Sequence, residues 1–148
     1  MAKKCWEDFN VGQRVKTASI TITDAHLVQW AGLTMDFYPL HMDEEFAKKT
    51  VFGGRIAHGP LTFAMSVGLV GMTNIFEDSI VAWLGVENMR IPAPVRIGDT
   101  IFVEAAVKEK RDTKSSERGV TIFQYTIKNQ KEMIVMQFDY LLMMHRRS

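Results

Sequence analysis

The last segment of the chain alternates most clearly, with Ile134, Met136, Phe138, Tyr140, Leu142 and Met144 at every second position and Gln137 and Asp139 between them. A period of two is that of a half-buried strand, whose successive side chains point to opposite faces. Runs of the same kind predict strands over Ile80 to Ile91, Thr100 to Lys110, Gly119 to Lys128 and Met133 to His145. Gly98-Asp99 and Asn129-Gln130 supply turns between them. Nearer the start, Phe9 to Gln13 reads as a turn into an extended segment, where Ile20 and Ile22 alternate with Thr21 and Thr23.

Between these strand patterns the period changes. Thr23 or Asp24 can cap a short helix that turns Leu27, Val28, Trp30 and Ala31 inward and ends near Gly32. Asp43, Glu44 and Glu45 precede Lys48 and Lys49, so acids come early and bases late, as the dipole of one or two helical turns favours. The segment from Ile56 to Phe76 then carries no Asp, Glu, Lys or Arg over 21 residues. Gly59-Pro60 opens a helix there, with proline in the first turn, where its missing N–H costs nothing. Leu61, Met65, Leu69 and Met72 line one side, and Phe63, Val67 and Val70 make the others apolar as well.

A run of that length matches a bilayer span. Here His58, Gly59, Pro60, Thr62, Ser66, Gly68, Gly71, Thr73 and Asn74 interrupt it, so the expectation is a helix buried inside a folded domain, with no membrane partner. Strand, helix, buried helix and four long strands make an α+β order with a largely antiparallel sheet joined by meander connections. A strongly curved sheet wrapped around the long helix buries it economically, and free sheet edges favour pairing two copies.

Composition narrows the class without changing that picture. At 148 residues, 47% hydrophobic and 24% charged, the chain suits a single domain over residues 1–148. A net charge of +1 gives no electrostatic reason to expect nucleic acid. The lone Cys5 cannot form an internal disulfide, and Trp6-Glu7-Asp8 stands where a signal peptide would need an apolar stretch, so a cytoplasmic protein is expected.

Chemistry concentrates in Leu33 to His41, LTMDFYPLH, which places Asp36 and His41 in one short loop. Their ordinary pKa values, near 4 and 6.5, flank neutrality and suit a general acid/base pair sharing one water. The plainer alternative is a loop carboxylate that caps the helix at Asp43 or holds His41. Gly59 offers a helix-start amide to negative charge, or is simply a helix start. His58 either contacts a ligand or satisfies its hydrogen bonds at the helix end. Asp36 with His26, His41 and His58 lacks the spacing of a known metal motif, so no metal is expected. Met35 and Met42 flank the pair and suit an acyl pocket. Arg55, Arg90 and Arg96 either bind phosphate or are solvated charges.

Taken together, LTMDFYPLHMDEEFAKKTVFGGRIAHGPL, with EDFNVGQ before it and VENMRIPAPVRIGDTI after it, resembles the MaoC-like dehydratase family, which includes the (R)-specific enoyl-CoA hydratases with a hot-dog fold. The resemblance implies that Asp36 and His41 are the catalytic pair and that the Gly59 amide is the oxyanion donor. Met35 stands where the family commonly has glycine, and Tyr38 where it usually has asparagine; with His58, these are the expected substrate-binding residues. Ser66 is offset from the serine that relatives carry and is not assigned its role. The implied reaction is reversible hydration of a trans-2-enoyl-CoA to an (R)-3-hydroxyacyl-CoA by a homodimer. It needs no cofactor beyond the CoA of its acyl-CoA thioester substrate. An acyl-CoA thioesterase on the same fold is the rival enzyme, disfavoured because no Asp or Glu lies between Glu45 and Glu77. A non-catalytic acyl-CoA-binding module is the other rival, favoured by Tyr38.

Overall fold

A computed structural model of the chain describes residues 4–147. After a 3-10 turn at Trp6–Asp8 come β1 (Arg14–Lys16), β2 (Ile20–Thr21), α1 (Asp24–Thr34), α2 (Pro39–Met42), α3 (Glu44–Ala47) and α4 (Gly59–Gly71). The remainder is β3 (Ile80–Arg90), β4 (Thr100–Asp112), β5 (Arg118–Lys128) and β6 (Ile134–His145). The four long strands lie where the alternation places them. β1 and β2 are shorter than a sequence pattern can delimit.

All strand pairings are antiparallel, in the order β1-β4-β5-β6-β3, and β2 continues the β1 edge along β4. Strands β4, β5 and β6 form the expected meander. β3 departs from it and crosses over to pair with β6, because β1 and β2 already occupy the outer edge of β4. Register shifts interrupt β3 near Ala82, Gly85 and Arg90, and β4 near Val107 to Glu109. Such bulges increase local twist.

The core lies between the sheet and α4. Phe123, Tyr125, Ile127, Phe138 and Leu142 are almost wholly buried, and α4 sets Leu61, Leu69 and Val70 against them. The Phe63 ring meets Phe138 edge-on at 5.0 Å. Each fully buried Phe, Leu, Ile or Val among them contributes about 1.5–3 kcal/mol through burial. This is the α+β arrangement of a curved antiparallel sheet around a central helix.

Two expectations about the helices need correction. α1 runs through Gly32 to Thr34, and Met35, at φ 62°, is its left-handed cap, with its N–H bonded to the Ala31 carbonyl. Val28 and Met72 are not inward: they are 48% and 80% exposed. The sheet covers only one side of α4, leaving Pro60, Ala64, Gly68 and Met72 exposed at helical spacing. Among the described residues no helix is long and apolar enough to cross a membrane.

Candidate active site

Asp36 lies in the short link between α1 and α2, where the left-handed turn at Met35 redirects the chain. Its N–H reaches the Thr34 hydroxyl at 3.3 Å, and its carboxylate accepts the Tyr38 N–H at 3.4 Å. The residue before a proline avoids helical geometry, and Tyr38, at φ −56° and ψ 132°, is the extended residue from which Pro39 starts α2. That single turn carries His41 back toward Asp36.

His41 is fixed from the other side by the segment that leads into α4. Its Nδ1 lies 2.8 Å from the Ile56 carbonyl oxygen. A carbonyl only accepts, so Nδ1 carries the proton of that bond and Nε2 is the nitrogen left to other partners. Ile56 is itself held by a bridge to Arg96, and the Ala57 N–H donates to the Val95 carbonyl at 2.8 Å. Arg55, one residue earlier, pairs with Asp24 at 2.8 Å and Glu44 at 3.4 Å. It ties α1 and α3 to this segment, so its role here is in the scaffold.

His58 follows, wholly buried, with Nε2 3.0 Å from the backbone carbonyl of Asp36 and its ring stacked on His41 at 4.0 Å. Burial holds its pKa below the ordinary imidazole value; its bond to the Asp36 carbonyl acts in the opposite sense, and the neighbouring His41 in the same sense. One donor atom from each of Asp36, His41 and His58 lies within 4.8 Å of the others. Of the four groups weighed as metal ligands, His26 stands apart, its Nδ1 receiving the Thr23 N–H at 2.9 Å. The other three include donor types common to metal sites and acid/base sites alike. Each of the two rings has already committed one nitrogen to a carbonyl.

Gly59 is the first residue of α4. First-turn amides have no partner within the helix, Pro60 has none to give, and the helix dipole favours negative charge at this end. A Cβ on Gly59 would come within 3.4 Å of Ile91 Cδ1. That is an ordinary contact, and Gly59 borders a cavity of about 160 Å³ lined also by His41 and Thr62 and by the apolar Ile91, Pro94 and Met136. The cavity offers a mostly apolar wall beside an imidazole and the start of a helix.

His41 and Gly59 thus face one space, with Asp36 next to His41. The three residues expected to bind substrate are not on that cavity wall. Met35 is 75% exposed because a left-handed cap turns its side chain outward. Tyr38 is 57% exposed, its ring against His41 and Phe46 rather than over the cavity. His58 is packed behind His41. Ser66 is buried and donates to the Phe63 carbonyl at 2.6 Å, within α4. Sequence reasoning missed the apolar wall. The segment MRIPAPVR that carries part of it was legible only as family-like, since nothing local brings Ile91 and Pro94 to Gly59.

Residues 8–129 match the family model described as MaoC like domain. The chain is 34% identical to Protein MaoC of Klebsiella aerogenes over 112 residues, covering 73% of this chain but only 32% of that protein, about a third of its length. It is 35% identical to an (R)-specific enoyl-CoA hydratase of Rhodospirillum rubrum over 102 residues, or 69% of this chain and 68% of the relative. Among solved structures, a monoamine oxidase regulatory protein from Archaeoglobus superposes with a TM-score of 0.95 at 34% identity, over 99% of this chain and 97% of the other. A Mycobacterium tuberculosis protein with a double hotdog fold superposes at 0.84 with 17% identity, over 98% of this chain and 45% of the other, a likeness of fold alone.

Proposed function

The chain belongs to the MaoC-like dehydratase family, and from that premise we propose that it catalyses the reversible hydration of a trans-2-enoyl-CoA to an (R)-3-hydroxyacyl-CoA. Relatives named (R)-specific enoyl-CoA hydratase and 3-hydroxybutyryl-CoA dehydratase, at 35% and 36% identity, support the reaction class. The observation that carries the reading is at His41. Its Nδ1 is held by the Ile56 carbonyl, and it sits beside the Asp36 carboxylate on the same cavity as the Gly59 amide.

In this reading Asp36 and His41 hold one water between the carboxylate and the imidazole Nε2. The water loses a proton to the pair as its oxygen bonds to C3, and the pair returns a proton to C2. H and OH are added across the double bond and no electron leaves the system. Negative charge gathers on the thioester oxygen during attack, and the Gly59 N–H meets it there, where a fixed donor lowers the barrier most. The reaction needs no metal or redox group, and CoA enters with the substrate.

We also propose that the working form is a homodimer. Among the described residues the outer edge of β3 has no strand partner, and Ile80, Trp83 and Leu84 on it are 40%, 54% and 46% exposed. An unpaired apolar edge of this length invites a second strand.

A panel of enoyl-CoA and 3-hydroxyacyl-CoA thioesters tests the reaction, read by enone absorbance, free thiol and product chirality. Loss of enone absorbance with an (R) product is expected. Thiol release without hydration indicates a thioesterase, and tight binding without turnover indicates a binding module; either result overturns the proposal.

A further inference from the structure

The His58 side chain meets both members of the Asp36/His41 pair, and it does so from a fully buried position. It is 0% exposed. Its Nε2 donates to the carbonyl of Asp36, 22 residues earlier in the chain, at 3.0 Å. Its ring lies face to face with that of His41, centroids 4.0 Å apart and planes 28° from parallel. Its backbone is the N-cap of α4, so it is also bonded directly to Gly59. Three groups of the site therefore meet at one residue.

The chemistry of that position asks for a flat ring with a donor on one edge. An N–H is needed for the Asp36 carbonyl, since a buried carbonyl without a partner is unfavourable. A ring face is needed to define the plane of His41 and with it the direction of its Nε2. Histidine supplies both, and among the described residues its buried Nδ1 has no protein hydrogen-bond partner. The titratable groups that act on His58 are Asp36 and His41 themselves.

We propose that His58 is a positioning residue: it sets the distance and orientation of Asp36 and His41 through the Asp36 backbone and the His41 ring face, without contacting substrate. The inference rests on the hydration reading for its kinetic consequence but not for its structural one.

The test uses the full chain as His58→Ala, His58→Phe and His58→Gln, each checked for folding by circular dichroism. With a trans-2-enoyl-CoA, His58→Ala loses about 10²-fold in kcat, the scale of a 1 Å misplacement, while KM stays within about threefold. His58→Gln, which keeps a donor, and His58→Phe, which keeps the stacked face, each recover part of the loss. In parallel, the His41 Cε1–H resonance loses its ring-current shift in His58→Ala and His58→Gln but keeps it in His58→Phe. If His58→Ala does not fold, the other two variants decide. Unchanged kcat with an unmoved His41 resonance in the folded variants overturns the proposal, and so does a rise in KM alone, which makes His58 a substrate contact. Absence of hydration by the unaltered protein refutes the reaction instead, and the resonance still reports on positioning.

Discussion

At the scale of single residues, Met35 shows what the family-like glycine at this position does. The residue caps α1 with φ 62°, a conformation that costs an ordinary side chain about 1–2 kcal/mol and a glycine almost nothing. Met35→Gly is therefore expected to raise stability by about 1 kcal/mol in urea denaturation, less whatever the freed chain gains in entropy. An unchanged midpoint would mean that Met35 makes a compensating contact. His58 yields a second prediction. Burial lowers its pKa in the fold, while the unfolded chain keeps the ordinary 6.5, so the unfolded state takes up the proton first. The stabilisation from the neutral ring is present above 6.5 and declines as pH falls through 6.5 toward the lower folded value. Denaturation from neutral to mildly acidic pH should show a steeper loss for the unaltered protein than for His58→Gln. Equal slopes would contradict burial of a neutral ring. That Asp36 and His41 share a short loop and that Gly59 starts a helix was legible in the sequence because a loop proline and a Gly-Pro helix start are local signals, whereas their joint role came only from the family resemblance. The role of His58 was not legible, because its partners lie 17 and 22 residues away and only folding brings them together.

Among the elements, β5 and β6 were legible because Phe123, Tyr125 and Ile127, and Met136, Phe138, Tyr140, Leu142 and Met144, recur at every second position; the other face of β6 is not open as the alternation implied, since Val135, Asp139 and Leu141 are buried too. The inward face of α1 and α4 was read too broadly. A helix apolar all round signals burial somewhere, but Val28 and Met72 show that this chain alone does not cover every side. The β3 crossover was illegible because strand order depends on which edges remain free. A contact at the far end of the sheet tests how firmly its elements are locked. A Cβ on Gly119 of β5 would lie 2.6 Å from atoms of the Trp6 indole. That ring has little room to retreat: its Nε1 donates to the Val120 carbonyl at 3.0 Å, and Lys110 Nζ and the Arg146 guanidinium lie 4.0 and 4.2 Å from its centre. Gly119→Ala should cost about 1–3 kcal/mol of stability, as overpacking does. In a double-mutant cycle, most of that cost should vanish in the Trp6→Ala background. Full cost in that background would place the clash elsewhere.

For the molecule as a whole, the proposed dimer is tested at the unpaired, exposed edge of β3. Sedimentation of the unaltered protein should give twice the chain mass. Leu84→Arg, on the free edge, should shift it toward one chain at the same concentration. A monomer before substitution would contradict the dimer while leaving the site chemistry untouched. The architecture was legible at this scale from element order and from the family-like segments together, whereas the cavity that gives the site its shape required the connection after β3 to fold over the start of α4.

Asp36 and His41 are proposed to add water to an enoyl thioester together. The most direct measurement is the rate and stereochemistry of trans-2-enoyl-CoA hydration by the unaltered protein, by Asp36→Asn and by His41→Ala, under identical conditions. The expected result is an (R)-3-hydroxyacyl-CoA from the unaltered protein and a fall of about 10²–10⁴-fold in kcat for each variant, the range of lost acid/base catalysis. Hydration at an undiminished rate in both variants would contradict it.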